Sequence, residues 1–328
     1  MGKLGDRDLR FGLIGLGRHG SRYARHLLQD VSGAVLGAVC RRERSSGEEF
    51  ARAHGIPFFA DWRDLIWSPA VDVLAVVTPP TLYLPICREA ARAGKPLLLE
   101  KPLGTNPQEA QAIVQTAAEA RIPLMVAQTS RFNEVVQTLL AHKSSIGPIH
   151  MLVLNQRVEP SPLDWLDDPD VAGGGTILHT GIHLFDLVRY VMEDEVARVS
   201  CFTNQVFSRY MEDSFAALLT LKSGSVLCHL DSCRFAGGRT ARLELVGEKG
   251  QLAGDLIHNF ACRIESRQSA SIPVPPPVNT VCAVLKAFTD CLQQGTEPPI
   301  SGLDGLRAVE VAWACRRSAQ LGEPVDLP

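Results

Sequence analysis

Along the first 127 residues, apolar positions fall in short unbroken runs, each followed by a stretch whose apolar residues recur at helical spacing. The runs at 11–16, 34–40, 71–77, 96–99 and 123–127 predict strands, and the stretches at 21–28, 48–54, 61–67, 82–93 and 107–120 predict helices. Residues 71–77 are almost continuously apolar, as a strand buried on both faces of a parallel sheet must be. From residue 147 the texture changes. Segments 149–158, 199–207, 215–221, 225–232, 241–246 and 261–266 alternate apolar with polar residues and follow one another without long helices between them. That pattern predicts an antiparallel or mixed sheet with one open face. A proline-rich connector at 272–277 leads to two closing helices, 281–293 and 303–321. The expected fold is therefore α/β in two parts. Residues 1–127 form a doubly wound parallel sheet of Rossmann type, and residues 128–328 form an α+β domain with a large, open, predominantly antiparallel mixed sheet.

The first run ends in Gly15-Leu16-Gly17-Arg18-His19-Gly20, a G-x-G-x-x-G spacing between a strand and a helix. In such a turn Gly15 permits the reversal, Gly17 lets a pyrophosphate approach the backbone, and Gly20 lets helix and strand pack closely. The phosphates would sit on free N–H groups at the positive end of a helix beginning near Arg18. A dinucleotide site is thus expected over residues 15–20. The second strand ends not in an acid for the ribose hydroxyls but in Arg41-Arg42, whose guanidinium groups suit a 2′-phosphate. NADP(H) is the favoured cofactor and NAD(H) the alternative. Thr78 and Pro79, at the carboxyl end of the 71–77 strand, are expected to wall the cofactor crevice.

Two further clusters carry chemistry. Glu100-Lys101-Pro102 directly follows a buried strand, where a charge half-removed from water must be paired or used. Glu100 is placed with the cofactor contacts, and Lys101 is expected to aim its ammonium into the crevice. Farther on, Gly173-Gly174-Gly175 leads into a helical stretch with His179, His183 and Asp186 at i, i+4 and i+7, on one predicted face. A histidine can take a hydroxyl proton near neutral pH, as alcohol oxidation requires. Trp165, Asp164 and Asn155 are pocket candidates because they lie near the glycine triplet.

Composition narrows the class. The chain of 328 residues is 45% hydrophobic and 21% charged, with 33 basic against 36 acidic side chains and a net charge of −3. That size suits two domains, and that balance argues against nucleic acid. No apolar stretch approaches the ~20 residues that span a bilayer, and residues 1–8 are too polar for a signal peptide. Nine cysteines lie scattered, with no C-x-x-C pair, and read as core thiols in a reducing cytoplasm.

The glycine loop, the Glu100-Lys101-Pro102 tripeptide and the Gly173-Gly-Gly…His183-x-x-Asp186 segment, in this order and separation, resemble the Gfo/Idh/MocA family of nicotinamide-dependent oxidoreductases. The resemblance spans nearly the whole chain. It implies a Rossmann domain followed by a domain whose open sheet builds homodimers or homotetramers, an active site between the two, and sugar, cyclitol or polyol substrates. It also implies that Lys101 binds the reacting oxygen beside the nicotinamide, that His183 is the acid/base, and that Arg131 lines the substrate pocket; Trp165 and Asp186 are the other substrate-contact candidates. Sugar and inositol dehydrogenases of the family commonly carry aspartate where this chain has His179, which is kept as a third catalytic candidate. Two other classes compete: a non-catalytic nucleotide sensor, and a metal enzyme using His179 and His183, although the H-E-x-x-H spacing is absent.

Overall fold

The computed structural model describes residues 7–161 and 163–328, without the side chain of Asp164; the polar start at 1–6 lies outside the described residues. The chain divides into two compact units, one formed by residues up to 128 together with Asn279–Leu306, the other by Thr129–Val278 with Arg307–Pro328.

The first unit contains strands β1 (Leu9–Ile14), β2 (Ala34–Cys40), β3 (Phe58–Phe59), β4 (Val73–Val76), β5 (Leu97–Glu100) and β6 (Leu124–Ala127). Between them run helices α1 (Gly20–Gln29), α2 (Arg44–His54), α3 (Trp62–Trp67), α4 (Tyr83–Arg92) and α5 (Pro107–Glu119). The strands pair in parallel in the order β3-β2-β1-β4-β5-β6, the doubly wound arrangement expected from the sequence. Register decides what this sheet can do. Ile14 lies level with Cys40 and Val76, and Val76 with Leu99, so all four strands release the chain at one edge. Chain caps support the helices: Asp61 accepts from the Arg63 N–H, and Asn106 from the Glu109 N–H.

Within this unit α9 (Thr280–Gln294) returns from far along the chain. Phe288 meets Phe11 edge-on at 6.5 Å, and the Gln293 amide donates to the carbonyl of Gly33 at 3.3 Å. A single cut after residue 127 therefore does not describe the grouping, because Asn279–Leu306 belongs with the first unit.

The second unit begins with α6 (Glu134–His142), β7 (Ile149–Arg157), α7 (Pro169–Ala172) and α8 (Ile182–Met192). There follow β8 (Val196–Asn204), β9 (Ser214–Leu221), β10 (Leu227–Cys233), β11 (Thr240–Gly247), β12 (Gly250–Asp255), β13 (Phe260–Glu265) and β14 (Gln268–Ile272). Helix α10 (Gly302–Leu321) and β15 (Val325–Asp326) close the chain. The nine strands lie in the order β14-β13-β12-β11-β7-β10-β9-β8-β15, antiparallel except for the central β7–β10 pair. One face packs under helices: Phe185 of α8 meets Phe215 of β9 at 5.8 Å, and Ser318 of α10 accepts from the N–H of Cys201 in β8. The other face leaves Met151 40%, Leu218 49% and Phe202 75% exposed.

Candidate active site

The edge of the parallel sheet carries the glycine turn. Gly15 has φ +102°, and a Cβ there would meet the Val77 carbonyl oxygen at 2.3 Å; a Cβ on Gly20 would lie 1.8 Å from the Gly15 oxygen. Gly17 faces open space, with nothing within 4 Å of where its Cβ would be. The turn is closed by its neighbours yet open at its middle glycine, the cradle that a dinucleotide pyrophosphate requires. Helix α1 starts at Gly20 rather than near Arg18, after a turn in which the Ser21 N–H donates to the Gly17 carbonyl. Arg18 and His19 are exposed on this turn, whereas the Leu16 side chain is buried, so only its backbone is available to a cofactor.

Glu100 closes β5 and is 6% exposed. One of its oxygens accepts from the Tyr23 hydroxyl at 2.6 Å and lies 2.7 Å from His19 Nε2; the other accepts from the Lys101 N–H at 3.0 Å. Burial opposes its charge, but the His19 hydrogen bond and charge, the Lys101 cation and the Tyr23 hydroxyl outweigh that and bring its pKa to about 2. Glu100, expected from the sequence among the cofactor contacts, is an ionised brace between the glycine turn and the start of the next loop. Lys101 follows it, half-buried, on a cis peptide bond to Pro102. Thr78 and Pro79 are half-buried at the same edge, where Thr78 packs on the glycine turn.

Arg41 and Arg42 leave β2 at this edge. The acid missing from the sequence reading stands two residues past Arg41, since Glu43 N-caps α2. Its carboxylate accepts from the Ser46 N–H and from the hydroxyls of Ser45 and Ser46, and the Arg41 guanidinium lies 3.7 Å away.

In the second unit the glycine triplet feeds a continuous helical run, first a π-helical turn, Ile177–Gly181, and then α8. Glu212 seats it. The carboxylate of Glu212 accepts from the N–H groups of Gly175 at 3.1 Å and Ile177 at 3.2 Å, and its carbonyl accepts from Thr176 at 2.9 Å. Any Cβ at residue 175 would fall 2.1 Å from that carbonyl oxygen, which explains one glycine of the three. Arg316 of α10 donates to the Gly173 carbonyl at 2.7 Å.

The π-turn carries His179 before α8 begins, so the plain i, i+4, i+7 stripe does not describe the segment. His179 lies with Nε2 2.9 Å from the Ala172 carbonyl and has Trp165 edge-on at 5.6 Å. Because a carbonyl only accepts, Nε2 carries the proton. His183 is half-buried in the first turn of α8. Asp186, one turn on, is fully buried, and both its oxygens accept from Arg131 at 2.8 and 2.6 Å. Arg131 is 8% exposed and also lies over the Tyr190 ring at 4.8 Å, while Gln137 bridges the Arg131 carbonyl and the Tyr190 hydroxyl. Asp186 and Arg131, expected from the sequence to meet substrate, pair with each other and so clamp the helix that carries His183.

Residues 9–128 match the Gfo/Idh/MocA model, described as an oxidoreductase family with an NAD-binding Rossmann fold, and residues 135–253 match the C-terminal domain of the same family. The chain belongs to the Gfo/Idh/MocA family. Among its relatives, the scyllo-inositol 2-dehydrogenase (NAD(+)) of Bacillus subtilis (strain 168) is 25% identical, over 98% of this chain and 97% of the relative. The myo-inositol 2-dehydrogenase of Thermotoga maritima is 26% identical, over 97% and 98%. The crystal structure of an aldose-aldose oxidoreductase from Caulobacter crescentus, complexed with glycerol, aligns with a TM-score of 0.87 and 25% identity, over 98% of this chain and all of that one.

Family membership fits the residues on the sheet edge, and the glycine turn, Arg41, Arg42, Thr78, Pro79 and Lys101 are together there. The histidine segment gathers His179, His183 and Trp165. Asn155 does not join them: it shares the open face of β7 with Met151 and Val153, on the opposite side of the sheet from α8. Asp164 opens the turn that holds Trp165. Among the described residues no group of three or more His, Cys, Asp or Glu side chains is arranged to hold a metal ion, no helix is long and apolar enough to cross a membrane, and all nine cysteines are free. Sequence reasoning missed Tyr23, Glu43 and Glu212.

Proposed function

We propose that this chain is a nicotinamide-dependent oxidoreductase that interconverts a secondary alcohol and a ketone on a sugar, cyclitol or related polyol. The observation that carries this reading is the shared edge of the parallel sheet, where an open glycine cradle leaves β1 and a half-buried lysine leaves β5, with β4 between them and all three strands ending at one level. The inositol dehydrogenases among the relatives support the substrate class. When bound, the nicotinamide supplies or accepts the hydride. Gly15, Gly17 and the N–H groups that open α1 hold its phosphates. Lys101 donates to the reacting oxygen and stabilises its alkoxide character. His183 takes the hydroxyl proton in oxidation and returns it in reduction. His179, with Nε2 tied to the Ala172 carbonyl and Trp165 against its ring, is the third catalytic candidate of this reading.

NADP(H) is the preferred cofactor in this reading. The nearest acid, Glu43, caps α2 through its serines and has Arg41 3.7 Å away, so the Arg41 and Arg42 guanidinium groups are the ones this edge offers to a 2′-phosphate. The apolar residues on the open face of the nine-stranded sheet support burial against a second copy, as a homodimer or homotetramer; light scattering that returns a monomer mass refutes that assembly.

Hydride transfer is tested by following reduced-nicotinamide absorbance with a panel of sugars and inositols and each cofactor. Turnover is expected on at least one cyclitol or sugar, and Lys101→Ala is expected to lower it by ~100-fold while cofactor binding persists. Cofactor binding without turnover on any member of the panel would favour the sensor class.

A further inference from the structure

Glu212 lies outside the glycine loop, the Glu100-Lys101-Pro102 tripeptide and the histidine segment, yet it occupies the amino end of the run that carries both histidines. We propose that Glu212 is a positioning residue of the acid/base apparatus: seated on the opening N–H groups of the helical run, its carboxylate cancels the positive helix end and holds His179 and His183 ready to take a proton. This inference rests on the reading of His183 as the acid/base.

A helix exposes unpaired N–H groups and about half a positive charge at its start. An imidazole in the first turn therefore loses proton affinity, because imidazolium is repelled. Here one residue takes the N–H groups of Gly175, Thr176 and Ile177, two with its carboxylate and one with its carbonyl. His179 follows Ile177 by two residues and His183 by six, so both stand within the first turns of the run. The close approach is built into the chain, since only glycine at 175 leaves room for the Glu212 backbone.

The charged groups around Glu212 favour its ionised form. Arg316 of α10 and Arg234, just beyond β10, both act on it, and Arg234 is further balanced by Asp167 and Asp213. Burial works the other way and raises the carboxyl pKa above its ordinary value, against the Arg316 charge and the two N–H bonds. Protonating Glu212 would leave the helix end without its carboxylate and remove one counter-charge from Arg316 and Arg234, and the proton affinity of both imidazoles would fall with it.

Selective isotope labelling of the histidine rings lets each be titrated by NMR without substrate or cofactor. In Glu212→Gln, which keeps the acceptor oxygen and the volume, the His179 midpoint is expected to fall by about 0.3 to 0.7 pH unit and the His183 midpoint by less, because the helix-end field fades within a turn. His54 and His258, on other elements, should not move. An unshifted His179 in a folded Glu212→Gln protein overturns the proposal. Should that variant fail to fold, the Gly175 and Ile177 amide signals of the unaltered protein take its place. Those signals and the His179 ring must show a common carboxyl titration step, and its absence from either overturns the proposal. A purely structural role would alter melting temperature but leave the ring midpoints in place. Because the titration needs no turnover, failure of the oxidoreductase reading would leave its outcome intact.

Discussion

Replacing Glu100 by Gln tests whether a buried charge braces the nucleotide turn. The carboxylate accepts from Tyr23, contacts His19 and receives the Lys101 N–H, and together these bring its pKa from 4.5 to about 2. A group whose folded-state pKa lies below its unfolded value stabilises the fold fully above the unfolded pKa, and that contribution disappears as pH falls through the folded one. A depression of this size is worth about 3 kcal/mol at neutral pH, at ~1.4 kcal/mol per unit. By about pH 3 half of it is gone, and at about pH 2 nearly all. Gln resembles the protonated acid: it can accept from Tyr23 but offers an amide N–H where the Lys101 N–H needs an acceptor. The variant should therefore be about 3 kcal/mol less stable at pH 7, with the gap to the native protein closing on acidification.

Urea unfolding at a series of pH values measures this gap. Trp62 and Trp67 of α3 report on the first unit once Trp165 and Trp313 have been replaced by Phe. Other carboxylates titrate in the same range, Asp72 among them, but they do so in both proteins and cancel in the difference. A gap that stays constant from pH 7 to pH 3, or widens in acid, refutes the reasoning.

Asp186→Asn should destabilise the second unit by about 3 to 5 kcal/mol, since Arg131 would keep a buried charge without its bidentate partner, lowering the melting temperature by roughly 10 °C. The double change Arg131→Met with Asp186→Leu should recover most of that loss in calorimetry, and a loss equal to the sum of the single variants would show that the pair is not coupled. Gly17→Ala should leave thermal stability within about 0.5 kcal/mol but weaken dinucleotide binding measured by fluorescence titration, whereas Gly20→Ala should lower stability as well because its Cβ meets the Gly15 oxygen. Replacing Arg41 and Arg42 together with Ala should weaken NADPH far more than NADH by the same titration; equal weakening would return both arginines to the solvated surface.

Much of this architecture is legible because short-range patterns report which face of an element is buried. The runs at 11–16 and 71–77 became β1 and β4, and the three glycine roles correspond to three different surroundings of the turn. Patterns fail where the partner is remote or the local signal is faint. Nothing in the amphipathic 281–293 helix says that Phe288 covers Phe11, so its return to the first unit was invisible. Gly250–Asp255 and Gln268–Ile272 are strands held by ladder pairing, the first interrupted by glycine and the second almost wholly exposed, so alternation could not reveal them. The π-turn inserts its extra residue per turn without a compositional mark, which moved His179 off the predicted stripe. Asp186 was placed on the right helix, but its ion pair with Arg131 left no local mark, because the two residues lie 55 positions apart. Glu212 is different in kind. A charge abutting a buried apolar strand is the signal that drew attention to Glu100 after 96–99, and Glu212-Asp213 stands in the same relation to the strand at 215–221. Asp213 is 1% exposed and gathers the N–H groups of Val206, Phe207 and Ser208, while Glu212 gathers those of the histidine segment. The rule that a half-buried carboxylate must have a partner therefore applies equally at both strand ends, and at the second it leads to the residue that seats the proposed acid/base.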